Sequence, residues 1–154
     1  MSHSKTYLRS FVRSELLSPW SVDPCVLEGE AEAAHERATL LYPFAGSELL
    51  AKGHGFACVE LQGYGCGLAG LIPGVLLIRP CADTSAWNLR VLHELAHAIL
   101  HKRFTFYTHA DVWALTLMLA CPRSAFRHIA HADHVPAWAL DLRRETARRV
   151  PRAA

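Results

Sequence analysis

Apolar side chains recur at helical spacing from the start of the chain: Tyr7, Leu8, Phe11, Val12, Leu16 and Leu17 predict a helix over residues 6–17. Ser18-Pro19-Trp20-Ser21 breaks it. Asp23, as N-cap, and Pro24, at the first helical position, open a second helix that reaches about Leu41 before Tyr42-Pro43. Its early acids, Glu28, Glu30 and Glu32, suit the positive end of the helix dipole and predict a solvated face. A short helix over 47–51 stops at Gly53-His54-Gly55, which makes His54 a turn residue. The period then changes. Phe56–Leu61, Cys66–Leu71 and Val75–Ile78 are short, apolar, β-rich runs joined by a Gly-rich turn at 62–67 and by Pro73-Gly74. Tight connections between them predict a three-stranded antiparallel sheet.

Helical spacing returns after Pro80–Thr84, with Thr84 or Ser85 as the expected cap of a helix ending in the cations His101-Lys102-Arg103. Another helix follows over 109–120, with Val112, Leu115 and Leu119 on its apolar side and Cys121-Pro122 as its stop. A short helix over 123–129 and an amphipathic one over 136–150 complete the chain. The expected fold is α+β: one mostly helical domain with its short antiparallel sheet packed against the helix at 85–101. Its parts are N-terminal helices (6–52), the sheet (56–79), a central helix pair (85–121) and C-terminal helices (123–150).

Composition narrows the class. In 154 residues, 51% are hydrophobic and 19% charged, enough apolar material for one core. A net charge of +2 is no nucleic-acid footprint, and the arginines of the last helix read as a solvated end. No apolar run is long enough to cross a bilayer. The first 17 residues lack the apolar core of a secretory signal. Five cysteines (Cys25, Cys58, Cys66, Cys81, Cys121) form no C-x-x-C pair, so they read as reduced thiols in a cytoplasmic protein.

The chemistry concentrates in Val91-Leu92-His93-Glu94-Leu95-Ala96-His97-Ala98-Ile99-Leu100-His101. Residues four apart lie one turn above each other on a helix, so His93 and His97 can converge on one ion. Glu94 then points beside that ion and can accept a proton from a water held there. His101 is two turns from His93, roughly 12 Å along the axis, and so is a terminal or supporting residue. His128, His131 and His134 form a His-rich stretch that reads as surface.

A catalytic zinc takes three protein ligands and leaves one position open. The long metzincin motif would put a histidine at position 103, which is Arg103, and no glutamate occurs between Glu94 and Glu145. His109 and Asp111 are the side chains within reach, at the start of the following helix. The span from about Ser47 to Pro122 resembles the ImmA/IrrE metallopeptidase family. Its second helix reads roughly Glu-x-x-Ala-Asn-x-x-Ala-x-x-Leu-Leu-Met-Pro, against His109-Ala110-Asp111-Val112-Trp113-Ala114-Leu115-Thr116-Leu117-Met118-Leu119-Ala120-Cys121-Pro122 here. Counting back from the proline, the resemblance puts His109 at the family's ligand glutamate. Asp111 stays as the alternative ligand or as an acceptor that orients an imidazole.

These readings lead to a zincin-like, zinc-dependent endopeptidase. His93, His97 and His109 hold the ion and Glu94 is the base, with Tyr107 and His128 as candidates for steadying the transition state. The resemblance implies a protein substrate of helix-turn-helix repressor type, and with it a place in stress response and transcription regulation. A catalytically dormant zinc-containing binding module is the alternative.

Overall fold

The computed structural model describes residues 2–38, 46–61, 68–81, 83–125 and 135–149; side chains are described outside 2–5 and 68–71. Among the described residues, six helices and three strands follow in the order α1 (Ser2–Leu17), α2 (Pro24–Ala38), α3 (Ser47–Gly53), β1 (Ala57–Glu60), β2 (Leu68–Ile72), β3 (Val75–Ile78), α4 (Thr84–Arg103), α5 (His109–Ala120) and α6 (Ala137–Ala147). The predicted helix over 123–129 is a single 3₁₀ turn at 123–125 in its described part. The Gly-rich turn at 62–67, Cys66 and His128, His131 and His134 lie outside the described residues.

The all-antiparallel sheet expected from the sequence is overturned. The order is β1-β3-β2, with β3 in the middle. β2 and β3 are antiparallel through the turn at Pro73-Gly74, where Gly74 takes φ +75. β1 does not pair with its sequence neighbour. It adds to the other edge of β3 in parallel register, Ala57 opposite Val75 and Glu60 opposite Ile78. The all-apolar Val75-Leu76-Leu77-Ile78 is the run best able to lie between two strands. Its Leu76 and Ile78 are fully buried, on a strand packed against α4, whereas β1 is largely exposed.

The core centres on α5. Every residue from Ala110 to Ala120 is buried, so this helix is enclosed all round and not only along Val112, Leu115 and Leu119. It packs against α1, α2, α4 and α6. α4 lies beside it, antiparallel, and buries Leu92, Leu95, Ala96, Ile99 and Leu100.

The acidic stretch of α2 is not the solvated face expected. Glu28 meets Nη2 of Arg143 at 2.7 Å, and Arg143, fully buried, also donates from Nε to the Cys121 carbonyl. Glu30 pairs with Arg103 at 2.9 Å, and Glu32 accepts from the backbone N–H and hydroxyl of Ser124. Three acids spaced two apart therefore tie α2 to α6, α4 and the 3₁₀ turn. The basic end of α6 is likewise engaged: Arg149 donates to the Leu16 carbonyl and lies over the Trp20 ring. Cys25, Cys58, Cys81 and Cys121 are free thiols. Among the described residues, no helix is long and apolar enough to cross a membrane.

Candidate metal centre

Local rules place the ligands. The cap of α4 is Asp83, not Thr84 or Ser85: its Oδ1 accepts from the Ser85 N–H at 2.9 Å and the Ser85 hydroxyl at 2.7 Å. From there α4 runs unbroken through the motif, so His93 and His97 stand on one face with ring centroids 4.8 Å apart. The chain reverses at Phe104–Thr108 and a capping box starts α5. Thr108 accepts from the Asp111 N–H while the Asp111 carboxylate accepts from the Thr108 N–H. That cap makes His109 the first residue of α5, opposite the motif.

The three rings close a triangle, His109 lying 5.2 Å from His93 and 5.7 Å from His97 between centroids. One ligand nitrogen from each of the three lies within 4.8 Å of the others, a group that can hold a metal ion. Nitrogens about 2.1 Å from a tetrahedral zinc stand roughly 3.4 Å apart, so small side-chain rotations close the set. His93 and His97 are partly buried, while 41% of the His109 side chain is exposed, leaving the ion position open on that side.

Protonation favours ligation. Burial, reinforced by its two neighbouring imidazoles, holds His93 well below the ordinary histidine range. Burial and His109 lower His97 to about 4. Both rings are therefore neutral at physiological pH, the form that has a lone pair for a metal.

Supporting contacts set the tautomers. Nδ1 of His109 lies 3.0 Å from Oε2 of Glu15. A carboxylate only accepts, so Nδ1 carries the proton and Nε2 keeps its lone pair for an ion. The Thr116 hydroxyl donates to the Val112 carbonyl at 2.7 Å, so towards Nδ1 of His93, 3.4 Å away, it serves as a weak acceptor. The indole of Trp113 lies against the His93 ring at 4.1 Å between centroids and limits its rotation.

Asp111 is neither the ligand nor an acceptor for an imidazole. Its fully buried carboxylate takes five hydrogen bonds: from Ser21 N–H and Oγ–H, Val22 N–H, and Thr108 N–H and Oγ1–H. It bolts the segment after α1 to the start of α5, and that junction brings Glu15 to His109. Glu94, buried at 8% exposure, lines the same cleft of about 400 Å³ as the three histidines. Tyr107 packs against His97, ring centroids 6.4 Å apart, and is not among the residues lining the cleft. His101 is exposed on the last turn of α4, a terminal residue outside the triangle.

Sequence reasoning missed Glu15, Thr116 and Trp113. Glu15 had a signal: it continues the stripe of Leu8 and Phe11 at i+3 and i+7, an acid on a face that otherwise packs. Thr116 is the one hydroxyl in a helix that is otherwise apolar after Asp111. The chain matches no family model, no curated protein and no solved structure.

Proposed function

We propose that this protein is a zinc-dependent endopeptidase. The observation that carries the reading is one juxtaposition: three imidazoles able to hold an ion and a buried glutamate line a single cleft. The donor chemistry fits zinc, for which three histidines and one open position form a catalytic set. When bound, zinc lowers the pKa of water and polarises a carbonyl oxygen. A site serving only to brace the fold has no use for a carboxylate beside its ligands.

The chain's own residues supply the rest. Glu94, next to His93 on α4, takes the proton of the attacking water and delivers it to the departing amine. Glu15 and Thr116 keep the Nδ1 protons of His109 and His93 in place, so that the ligating nitrogens remain unprotonated. The apolar lining from Leu89 and Trp113 keeps water from competing for these charges. The resemblance of residues 47–122 to the ImmA/IrrE peptidases supports a protein substrate, with a helix-turn-helix repressor the candidate to test first.

One observation favours a dormant binding module: Tyr107 does not line the cleft, so among the described residues no phenol is placed to support the developing oxyanion there. Glu94→Gln separates the two readings. In the peptidase, zinc content stays near one per chain and hydrolysis of the substrate falls by a factor on the order of 10³ or more. A zinc-loaded wild-type protein that cuts neither candidate repressors nor a peptide library leaves the dormant module.

A further inference from the structure

Two arginines share the cleft with the histidine triangle: Arg79, just past the end of β3, and Arg90 on α4. Arg90 precedes His93 by three residues and Glu94 by four, so it lies on their face of the helix, about 5 Å nearer the N-terminus. Its Nη1 donates to the carbonyls of Arg79 and Pro80, both at 3.3 Å, which pins the guanidinium to the strand end. The side chain of Cys81 also hydrogen-bonds this arginine, and the guanidinium stays a rigid, permanently charged fork on the cleft wall. Arg79 is exposed and has no ion-pair partner among the described residues.

The charge of the cleft is consequently one-sided. Among the described residues Glu94 is the only acidic one lining it, against two guanidiniums. Another part of the lining comes from α1, where Leu8 and Phe11 face the cleft and Phe11 stacks on the exposed Tyr7, centroids 6.5 Å apart. A bound chain would thus meet both an apolar surface and fixed positive charge within one cleft.

We propose that Arg79 and Arg90 form a subsite for a carboxylate, so that the cleft selects a peptide with an apolar side chain against α1 and a carboxylate one or two residues away. An extended chain advances about 3.4 Å per residue, which matches the single turn of helix between Arg90 and the motif. This inference rests on the peptidase reading. The carboxylate has two sources, an acidic side chain or the free C-terminus of the substrate.

Binding to the zinc-loaded Glu94→Gln protein tests the subsite without requiring turnover. Three fluorescein-labelled hexapeptides with a central Phe serve as probes: one with Glu after the Phe and an amidated end, one with Gln and an amidated end, and one with Gln and a free C-terminal carboxylate. Either carboxylate peptide should bind roughly tenfold tighter than the amidated Gln peptide, the equivalent of about 1.4 kcal/mol. A preference for the Glu peptide identifies a side-chain source, and a preference for the free acid identifies the terminus. Arg79→Gln should cut the preference to about threefold or less with zinc content unchanged, and raised salt should weaken it further. Equal binding of all three peptides, no binding of any, or a preference untouched by Arg79→Gln overturns the subsite. The peptidase reading answers to a different result, the wild-type hydrolysis lost in Glu94→Gln, so either can fail alone.

Discussion

Nδ1 of His109 donates to Oε2 of Glu15 across 3.0 Å, joining the first turn of α5 to the last turn of α1 over ninety-four residues of sequence. This contact makes α1 part of the candidate metal centre. The carboxylate selects the tautomer of the most exposed of the three imidazoles and so leaves its Nε2 lone pair free for an ion. A histidine with 41% of its side chain exposed would otherwise sample several rotamers.

Removing that carboxylate should therefore cost metal affinity and little else. Glu15→Gln is expected to weaken zinc binding about 10- to 100-fold, measured by competition with a chromogenic chelator. His109→Ala should weaken it further. The pair is partly exposed, so the unfolding free energy of the metal-free protein should change by less than about 1 kcal/mol. An unchanged zinc affinity in Glu15→Gln would remove Glu15 from the site.

Asp111→Ala should have the opposite profile. Five donors lose their acceptor at once, in a carboxylate without solvent exposure, and three of those donors anchor the α1–α2 junction. A loss of about 3 kcal/mol or more is expected in urea unfolding of the metal-free protein, together with a fraying of α1 in hydrogen exchange. If this variant keeps full stability and loses only zinc, Asp111 is a ligand after all.

Acid should destabilise the metal-free protein through His93 and His97. Their folded-state pKa values lie below the unfolded 6.5, the second at about 4. Above pH 6.5 both states hold these rings neutral and stability is flat. As the pH falls from 6.5 to about 4, the unfolded chain takes up protons that the folded one refuses, and stability is lost. For His97 the shift corresponds to no more than about 3 kcal/mol, before the screening that its partial exposure brings. Urea midpoints at pH 7.5, 6 and 5 should fall in that order, more gently in His97→Gln. Midpoints that do not move would mean that the rings are solvated.

The legible parts of the site were those set within one turn of chain. His93, Glu94 and His97 have their relative positions from the α-helical period alone, because the backbone hydrogen bonds of α4 set the angle between successive side chains. The apolar residues around the motif announced a buried helix, and α1, α2 and α3 were evident from spacing and breakers. Cysteine spacing likewise pointed to free thiols, as found for the four described.

Choices between distant partners belonged to the tertiary structure. Apolar strand runs announce that β1, β2 and β3 exist, but any of them can satisfy the edge of another; the burial of Leu76 and Ile78 against α4 put β3 in the middle and made β1 its parallel neighbour. His109 and Asp111 were equivalent candidates along the chain. The capping box and the Ser21–Val22 backbone claimed the aspartate, which left the histidine to face α4. Glu28, Glu30 and Glu32 read as a solvated run until α6, α4 and Ser124 arrived to use them. A side chain's direction along a helix is a local property of the backbone, written into the order of residues. Its partner is decided by which surfaces must leave water together, and that is a property of the whole fold.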